Sequence, residues 1–271
     1  MKKIVISIDG GGIRGMLPLV LLREISKHTN KDLNEEAIEW WGTSTGAIVS
    51  GALCIQQEFH FDRAVQQVLD LYEFRSATSI HPGNIPHPER AFNQMIDANF
   101  KGLDVCDYPN FHCVVTDMVT NTPVIIDADW NTGLDEAIRA SCAFPGLFPP
   151  VYIGERPFSD GFLHAKNPSK LALEYHLNID YTPHLFISLG TGIMRENDAI
   201  ELAVESVDAE VSKVLGEMNI PYYRLNPTLI LGSDDMQNIT PKNIHHLKQD
   251  SLEYIEGNEA LFAEIADVIC G

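Results

Sequence analysis

The pentapeptide Gly42-Thr43-Ser44-Thr45-Gly46 constrains this chain more than any other stretch. It follows a short apolar run, Ala37 to Trp41, that reads as a strand, and it leads into Ala47 to Gln56, which reads as a buried helix. Glycines on either side of a serine permit a sharp strand-to-helix turn that lifts the hydroxyl above a sheet. At such a turn the Ser44 Oγ stands at a helix N-terminus, where the positive end of the dipole favours a developing alkoxide. G-x-S-x-G by itself occurs by chance, and its weight here comes from the strand and helix that bracket it.

A similar arrangement occurs earlier. Ile4 to Ile8 is a β-branched apolar run typical of a buried strand, and Met16 to Lys27 has helical periodicity. Between them lies Asp9-Gly10-Gly11-Gly12-Ile13-Arg14-Gly15. Gly10, Gly12 and Gly15 satisfy the dinucleotide pattern G-x-G-x-x-G, which also requires a second strand ending in an acidic residue about 20 positions on. Glu35 and Glu36 stand near that distance but follow Asn30-Lys31-Asp32, which is no strand. A phosphate-binding P-loop fails as well, because Met16 occupies the place of its lysine. The better reading is an oxyanion hole, with backbone N–H groups meeting charge that develops during acyl transfer; a tight turn without a ligand is the alternative. The repeated strand–turn–helix order predicts an α/β fold of three layers, a mostly parallel sheet with helices on both faces.

Further strands are expected at His112 to Thr116, Pro123 to Asp127 and His184 to Leu189. From Ala199 the pattern turns helical: Ala199 to Met218, Pro241 to Glu256 and Asn258 to Ile269. Ser76 to Arg90 holds Pro82, Gly83, Pro86 and Pro88 without any period and predicts a long surface loop, a candidate lid or lipid-contact element. No linker divides the chain, so residues 1–271 are expected to form one domain, a motif core over about 2–192 and a helical part over about 199–269. Three more segments draw attention: Ala140-Ser141-Cys142-Ala143-Phe144-Pro145-Gly146-Leu147-Phe148-Pro149-Pro150, a packed helix end leading to an apolar wall; Ser159-Asp160-Gly161-Phe162, followed by Lys166-Asn167-Pro168; and Ser188-Leu189-Gly190-Thr191-Gly192 at a strand end. Each alone has a bland explanation in core packing, a turn or a cap.

A formal net charge of −19 argues against nucleic acid and against simple electrostatic attachment to anionic bilayers, both of which call for clustered Lys and Arg. Any lipid substrate must be brought in by apolar contact. Cys54, Cys106, Cys113, Cys142 and Cys270 are odd in number and scattered, with neither a disulfide framework nor zinc spacing. His60 and the pair His245-His246 lack partners at metal-ligand spacing, so no metal and no cofactor is expected. Ile4 to Ile8 is too short for a signal-peptide core, and no apolar run nears the ~20 residues of a membrane span. A cytoplasmic protein, at most peripheral at the membrane, is the expectation.

Taken together and in this order, these five segments resemble the patatin-like phospholipases. The resemblance runs from Lys2 to about Gly192 and more loosely from Tyr222 to Ile269. It implies the patatin-type three-layer α/β/α fold and metal-free hydrolysis of lipid acyl esters, of the phospholipase A or lysophospholipase type. It further implies Ser44 as nucleophile, Asp160 as base, and Gly10, Gly11 and Gly12 as the oxyanion hole, with Arg14 in the same loop. An acyl chain would then lie against Phe144, Leu147 and Phe148. The base motif departs from the family pattern: Phe162 stands where a small residue is usual, a ring expected to narrow the pocket. Lys166 replaces the first asparagine of the downstream Asn-Asn-Pro, and Ala47 a glycine after the elbow. The rival readings are a carboxylesterase or thioesterase acting on soluble substrates, and a catalytically inactive nucleotide-binding or regulatory module. The sequence names no activating ligand or partner. A Ser–Asp dyad needs no histidine, so His164, His176, His184, His245 and His246 are expected to stay outside the site.

Overall fold

Side-chain alternation along the first strands sorts the core into two faces. In a computed structural model, which describes residues 3–29, 31–56, 59–77, 88–193 and 199–271, β1 (Lys3–Ile8), β2 (Ala37–Thr43) and β7 (Leu185–Leu189) lie side by side and parallel. Ile4, Ile6 and Ile8, Ile38 and Trp40, and Leu185, Ile187 and Leu189 point to one face; Val5, Trp41 and Phe186 point to the other. The period of two in a strand dictates this division.

The first face is covered by α1 (Met16–His28), α2 (Thr45–Ile55), α3 (Phe61–Ala77), α4 (Pro88–Phe100), α5 (Leu134–Ser141), α9 (Pro241–Glu256) and α10 (Glu259–Cys270). The second is covered by α7 (Ser169–Asn178) and α8 (Ala199–Glu217). Among the described residues the sheet has eight strands. β3 (Phe111–Asp117) and β8 (Tyr222–Leu225) extend the parallel core on either side, in the order β3-β2-β1-β7-β8. β4 (Thr122–Ile126), β6 (Arg156–Asp160) and, beyond it, β5 (Val151–Ile153) add antiparallel pairings at the β3 end. The result is a mixed, mostly parallel sheet between helical layers, with residues from Ile4 to Ile269 in one apolar cluster.

The predicted strands and helices are present, with ends moved by a residue or two. The expected loop over Ser76 to Arg90 is helical at both ends: α3 continues through Ser76 and Ala77, and α4 begins at Pro88. Proline suits a first helical position, since the N–H it lacks would be unpaired there in any case. Residues 78–87, and with them the expected lid, lie outside the described residues. The β5–β6 hairpin and β8 were not legible in the sequence because both are short. The hairpin closes with the two residues Gly154 and Glu155, Gly154 at φ 61°, without the Asn-Gly or Asp-Gly that marks such turns.

The second face carries a buried acid. Glu39 on β2 is within 3.0 Å of His176 Nε2 and of Lys3 Nζ, accepts a 3.1 Å hydrogen bond from Trp41 Nε1, and lies 3.8 Å from His112. Burial works to raise its carboxyl, but His176, His112 and Lys3 outweigh that and hold it at about 2. A carboxyl lowered by folding stabilises the fold above its unfolded pKa and loses that contribution as pH falls through the folded value. Glu39→Gln is therefore expected to lose about 2 kcal/mol at pH 7. Urea titrations should show the deficit shrinking between the ordinary glutamate value of 4.5 and about 2.

Candidate active site

Strand β3 decides where Ser44 and Asp160 meet. Cys113 and Val114 pair with β2 on one edge and with β4 on the other, while Val115, Thr116 and Asp117 pair with β4 and with β6. Because a strand has only two edges, β2 and β6 share one. β2 runs parallel to β3 and stops with Thr43 opposite Val114; β6 runs antiparallel and stops with Asp160 opposite Val115. The two strands thus meet end to end along one edge of β3, and the residue after Thr43 is Ser44.

Ser44 Oγ donates a 2.7 Å hydrogen bond to Asp160 Oδ2. Ser44 occupies φ 56°, ψ −119°, a region a non-glycine residue enters only under constraint. Its N–H is held by Ser141 Oγ at 2.9 Å, and that hydroxyl is anchored on the Val114 carbonyl at 2.7 Å. Asp160 is 1% exposed, and every polar atom in it is engaged. Its N–H reaches the Ala143 carbonyl, its own carbonyl accepts from Thr116 Oγ1, and Oδ1 accepts from the Phe162 N–H at 2.8 Å. Burial pushes the Asp160 carboxyl up to about 7, against the opposing hydrogen bonds from Phe162 and Ser44. A carboxylate so placed is a far better proton acceptor near neutral pH than an exposed one.

The glycine loop lies against this pair: a Cβ on Gly10 would stand 3.4 Å from the Ser44 Cβ. Gly10 differs from expectation as a donor, because its N–H is given to the Lys166 carbonyl at 2.9 Å. The N–H groups of Gly11 and Gly12 have no acceptor among the described residues. Arg14 is buried; its Nε donates to the Gly11 carbonyl at 3.3 Å, and its N–H to the same oxygen at 3.2 Å. In a trans peptide the N–H opposes the C=O, so holding the Gly11 oxygen turns the Gly12 N–H the other way. Arg14 therefore shapes the loop from behind. Asp9, just before the glycines, is locked to Arg224 of β8 through bonds of 2.9 and 2.6 Å. The Ile13 N–H reaches the Met236 carbonyl at 3.0 Å.

Phe162 opens the short helix α6 (Phe162–Ala165) right after the base motif, and its ring packs edge-on against Phe144, 5.6 Å between centroids. The same ring would be 2.9 Å from a Cβ on Gly10, so it fills space between the glycine loop and Phe144. The unusual residue thus leaves the turn intact and crowds the site's rim. Phe148 is turned to Phe92 of α4, 4.6 Å away, and Leu147 is half-buried in the turn between the two phenylalanines. Lys166 pairs with the buried Glu201 of α8. None of the five histidines hydrogen-bonds Ser44 or Asp160: His164 meets Asn121, His176 faces Glu39, His184 meets Val268, and His245 and His246 lie on α9. Sequence reasoning missed the role of Ser141 and the contact of Cys142 with Ser44. Burial, with the nearby Asp160, pushes the Cys142 thiol well up, so it stays protonated. Only the small residues Ala140-Ser141-Cys142 hinted at either.

One α/β protein thus brings together a serine on a strand-to-helix elbow, a buried aspartate against its hydroxyl and a glycine loop alongside. The profile of the family described as patatin-like phospholipase matches residues 6–173, and the chain belongs to that family. Human calcium-independent phospholipase A2-gamma is 25% identical over 315 residues, an alignment that takes in 98% of this chain and 40% of that protein. The mouse protein of the same name is 23% identical with the same coverage. The uncharacterized NTE family protein MT2641 of Mycobacterium tuberculosis is 27% identical over 171 residues, 60% of this chain and 27% of that one. The chain spans about 40% of the length of the phospholipase relatives. Among solved structures, VipD from Legionella pneumophila aligns over 93% of this chain and 67% of its own at 14% identity, TM-score 0.41.

The raised Asp160 carboxyl has a stability consequence. With its value at 3.8 in the unfolded chain and about 7 in the fold, the folded state retains a proton that the unfolded state releases, so stability falls as pH rises between the two. Asp160→Asn removes that penalty. Thermal unfolding should show the variant melting above the wild type at pH 8, with the difference vanishing near pH 4.

Proposed function

We propose that the chain hydrolyses carboxylic esters of glycerolipids, in the manner of a phospholipase A or lysophospholipase, through an acyl-enzyme on Ser44. The single observation that carries this reading is the 2.7 Å contact between the Ser44 hydroxyl and a buried carboxylate poised near pH 7. Family membership supports the substrate class. Ser44 Oγ attacks the acyl carbonyl as its proton passes to Asp160 Oδ2. The carbonyl oxygen gains the negative charge and is met by the N–H groups of Gly11 and Gly12. As the tetrahedral intermediate collapses, the ester C–O bond breaks and the proton on Asp160 goes to the leaving alcohol. Water then attacks the acyl-enzyme with Asp160 again taking a proton, and the fatty acid departs as Ser44 recovers its hydrogen.

The exposed rim next to the site, with half-buried Phe144, Leu147 and Phe148, offers the apolar wall for the acyl chain, and Phe162 narrows its entrance. With a net charge of −19, engagement of lipid relies on such apolar contact and not on attraction to anionic headgroups. Among the described residues, no helix is long and apolar enough to cross a membrane.

A fluorophosphonate probe should label Ser44 and no other serine. Ser44→Ala and Asp160→Asn should each abolish turnover of a p-nitrophenyl ester and release of fatty acid from phosphatidylcholine vesicles, because they act as one unit. Undiminished labelling of Ser44→Ala would remove the assignment. The carboxylate is the active form of the base, so kcat/KM should drop about tenfold per pH unit below about 7 and level off above it. Alanine at His164, His176, His184, His245 or His246 should leave most of the turnover. Abolition by any one of them in a folded protein would mean a triad.

A further inference from the structure

We propose that Thr191 is a positioning residue for the oxyanion site: its hydroxyl fixes the Gly10–Gly11 peptide so that the Gly11 N–H faces the reacting carbonyl. The assignment rests on the ester-hydrolase reading and adds a residue to it. Thr191 follows β7, is 1% exposed, and donates a 2.8 Å hydrogen bond from Oγ1 to the Gly10 carbonyl. The Gly10 carbonyl and the Gly11 N–H belong to the same planar trans peptide and point in opposite directions. Anchoring the oxygen on Thr191 therefore aims the hydrogen away from it.

Three observations show that the bond is built in. A Cβ on Gly11 would stand 2.3 Å from Thr191 Oγ1, so the hydroxyl reaches the Gly10 carbonyl only because residue 11 has no side chain. Thr191 is itself held between fixed neighbours: the Gly190 N–H binds the Leu225 carbonyl at 2.8 Å, and the Gly192 N–H binds Asn226 Oδ1 at 2.9 Å. Gly10 is also fixed from the other side by its N–H on Lys166. With both of its peptides anchored, a residue type that otherwise rotates freely has one orientation left. Arg14 does the same for the next peptide and the Gly12 N–H. Donors held in place before charge develops need no reorganisation during the reaction, and this is the source of their catalytic effect.

Thr191→Val keeps the shape and removes the hydroxyl; Thr191→Ser keeps the hydroxyl and removes the methyl. With p-nitrophenyl butyrate as substrate, Thr191→Val should lower kcat about tenfold, less than the roughly 100- to 1,000-fold lost when an oxyanion donor itself is removed, with KM within about twofold. Inhibition by butylboronic acid, which mimics the tetrahedral intermediate, should weaken in parallel with kcat. Thr191→Ser should recover most of both. A hydroxyl that merely supported the fold would lower melting temperature without this split. If Thr191→Val does not fold, Thr191→Cys provides a poor donor at the same position for the same comparison. A wild-type protein without Ser44-dependent turnover overturns the hydrolase reading and the Thr191 role with it. Given that turnover, unchanged kcat in Thr191→Val, or equal losses in the valine and serine variants, overturns the Thr191 assignment alone.

Discussion

The shared edge of β3 is the constraint from which the rest of this site follows. One strand climbs that edge and ends at Thr43; another descends it and ends at Asp160, one pairing position away. Because the sheet itself sets the separation, no flexible loop has to bring the hydroxyl and the carboxylate together. The arrangement has costs. Ser44 sits at positive φ, a strain of about 1–3 kcal/mol that persists only where the surroundings over-determine it. Here they do: Ser141, itself anchored on Val114, holds the Ser44 N–H, and the glycine loop packs against the side chain. Asp160 is buried beneath the same elbow, and the strain and the burial together leave a basic carboxylate touching a half-buried hydroxyl.

Much of what holds the glycine loop comes from beyond the segment that matches the family profile, which ends at residue 173. Arg224 clamps Asp9 and also donates to Ser188, whose hydroxyl continues through Ser169 to Ser7. Met236 takes the Ile13 N–H, and the stretch before it is fixed by Asp250, whose carboxylate accepts from the N–H groups of Ile230, Leu231 and Gly232. These buried charges are each paired with an opposite charge or satisfied by hydrogen bonds, the condition under which an interior tolerates them. The C-terminal helices thus do more than cover one face of the sheet. With β8 and the stretch through Met236, they brace the loop on which the proposed oxyanion donors sit.

The surface and the site respond to charge differently. Acidic residues outnumber basic ones by 38 to 19, yet the fold spends several of its few cations inside: Arg14 behind the glycine loop, Lys166 against Glu201, Arg224 against Asp9. Acids are buried beside them, among them Asp9, Glu39, Asp160, Glu201 and Asp250. Under the proposed reading, the rim offers a lipid the half-buried Phe144, Leu147 and Phe148.

The sequence by itself determined the alternation that sorts Ile4, Ile6 and Ile8 from Val5, the helices that follow each glycine turn, and the serine between Gly42 and Gly46. These are local properties: strand and helix periods, and the freedom of glycine, act over a few neighbouring residues and are written in consecutive letters. Asp160 was legible only through the company of the other motifs, since an aspartate before a glycine is ordinarily a turn. Only the tertiary structure decided that Gly10 gives its N–H to Lys166 while Gly11 and Gly12 meet no acceptor among the described residues, that Phe162 fills the space beside Phe144, and that Ser141 and Thr191 hold peptides 97 and 181 residues away in the chain. Such partnerships depend on which strands share an edge and how far each one runs. No period or spacing encodes that, because it is set when all eight strands are assembled at once.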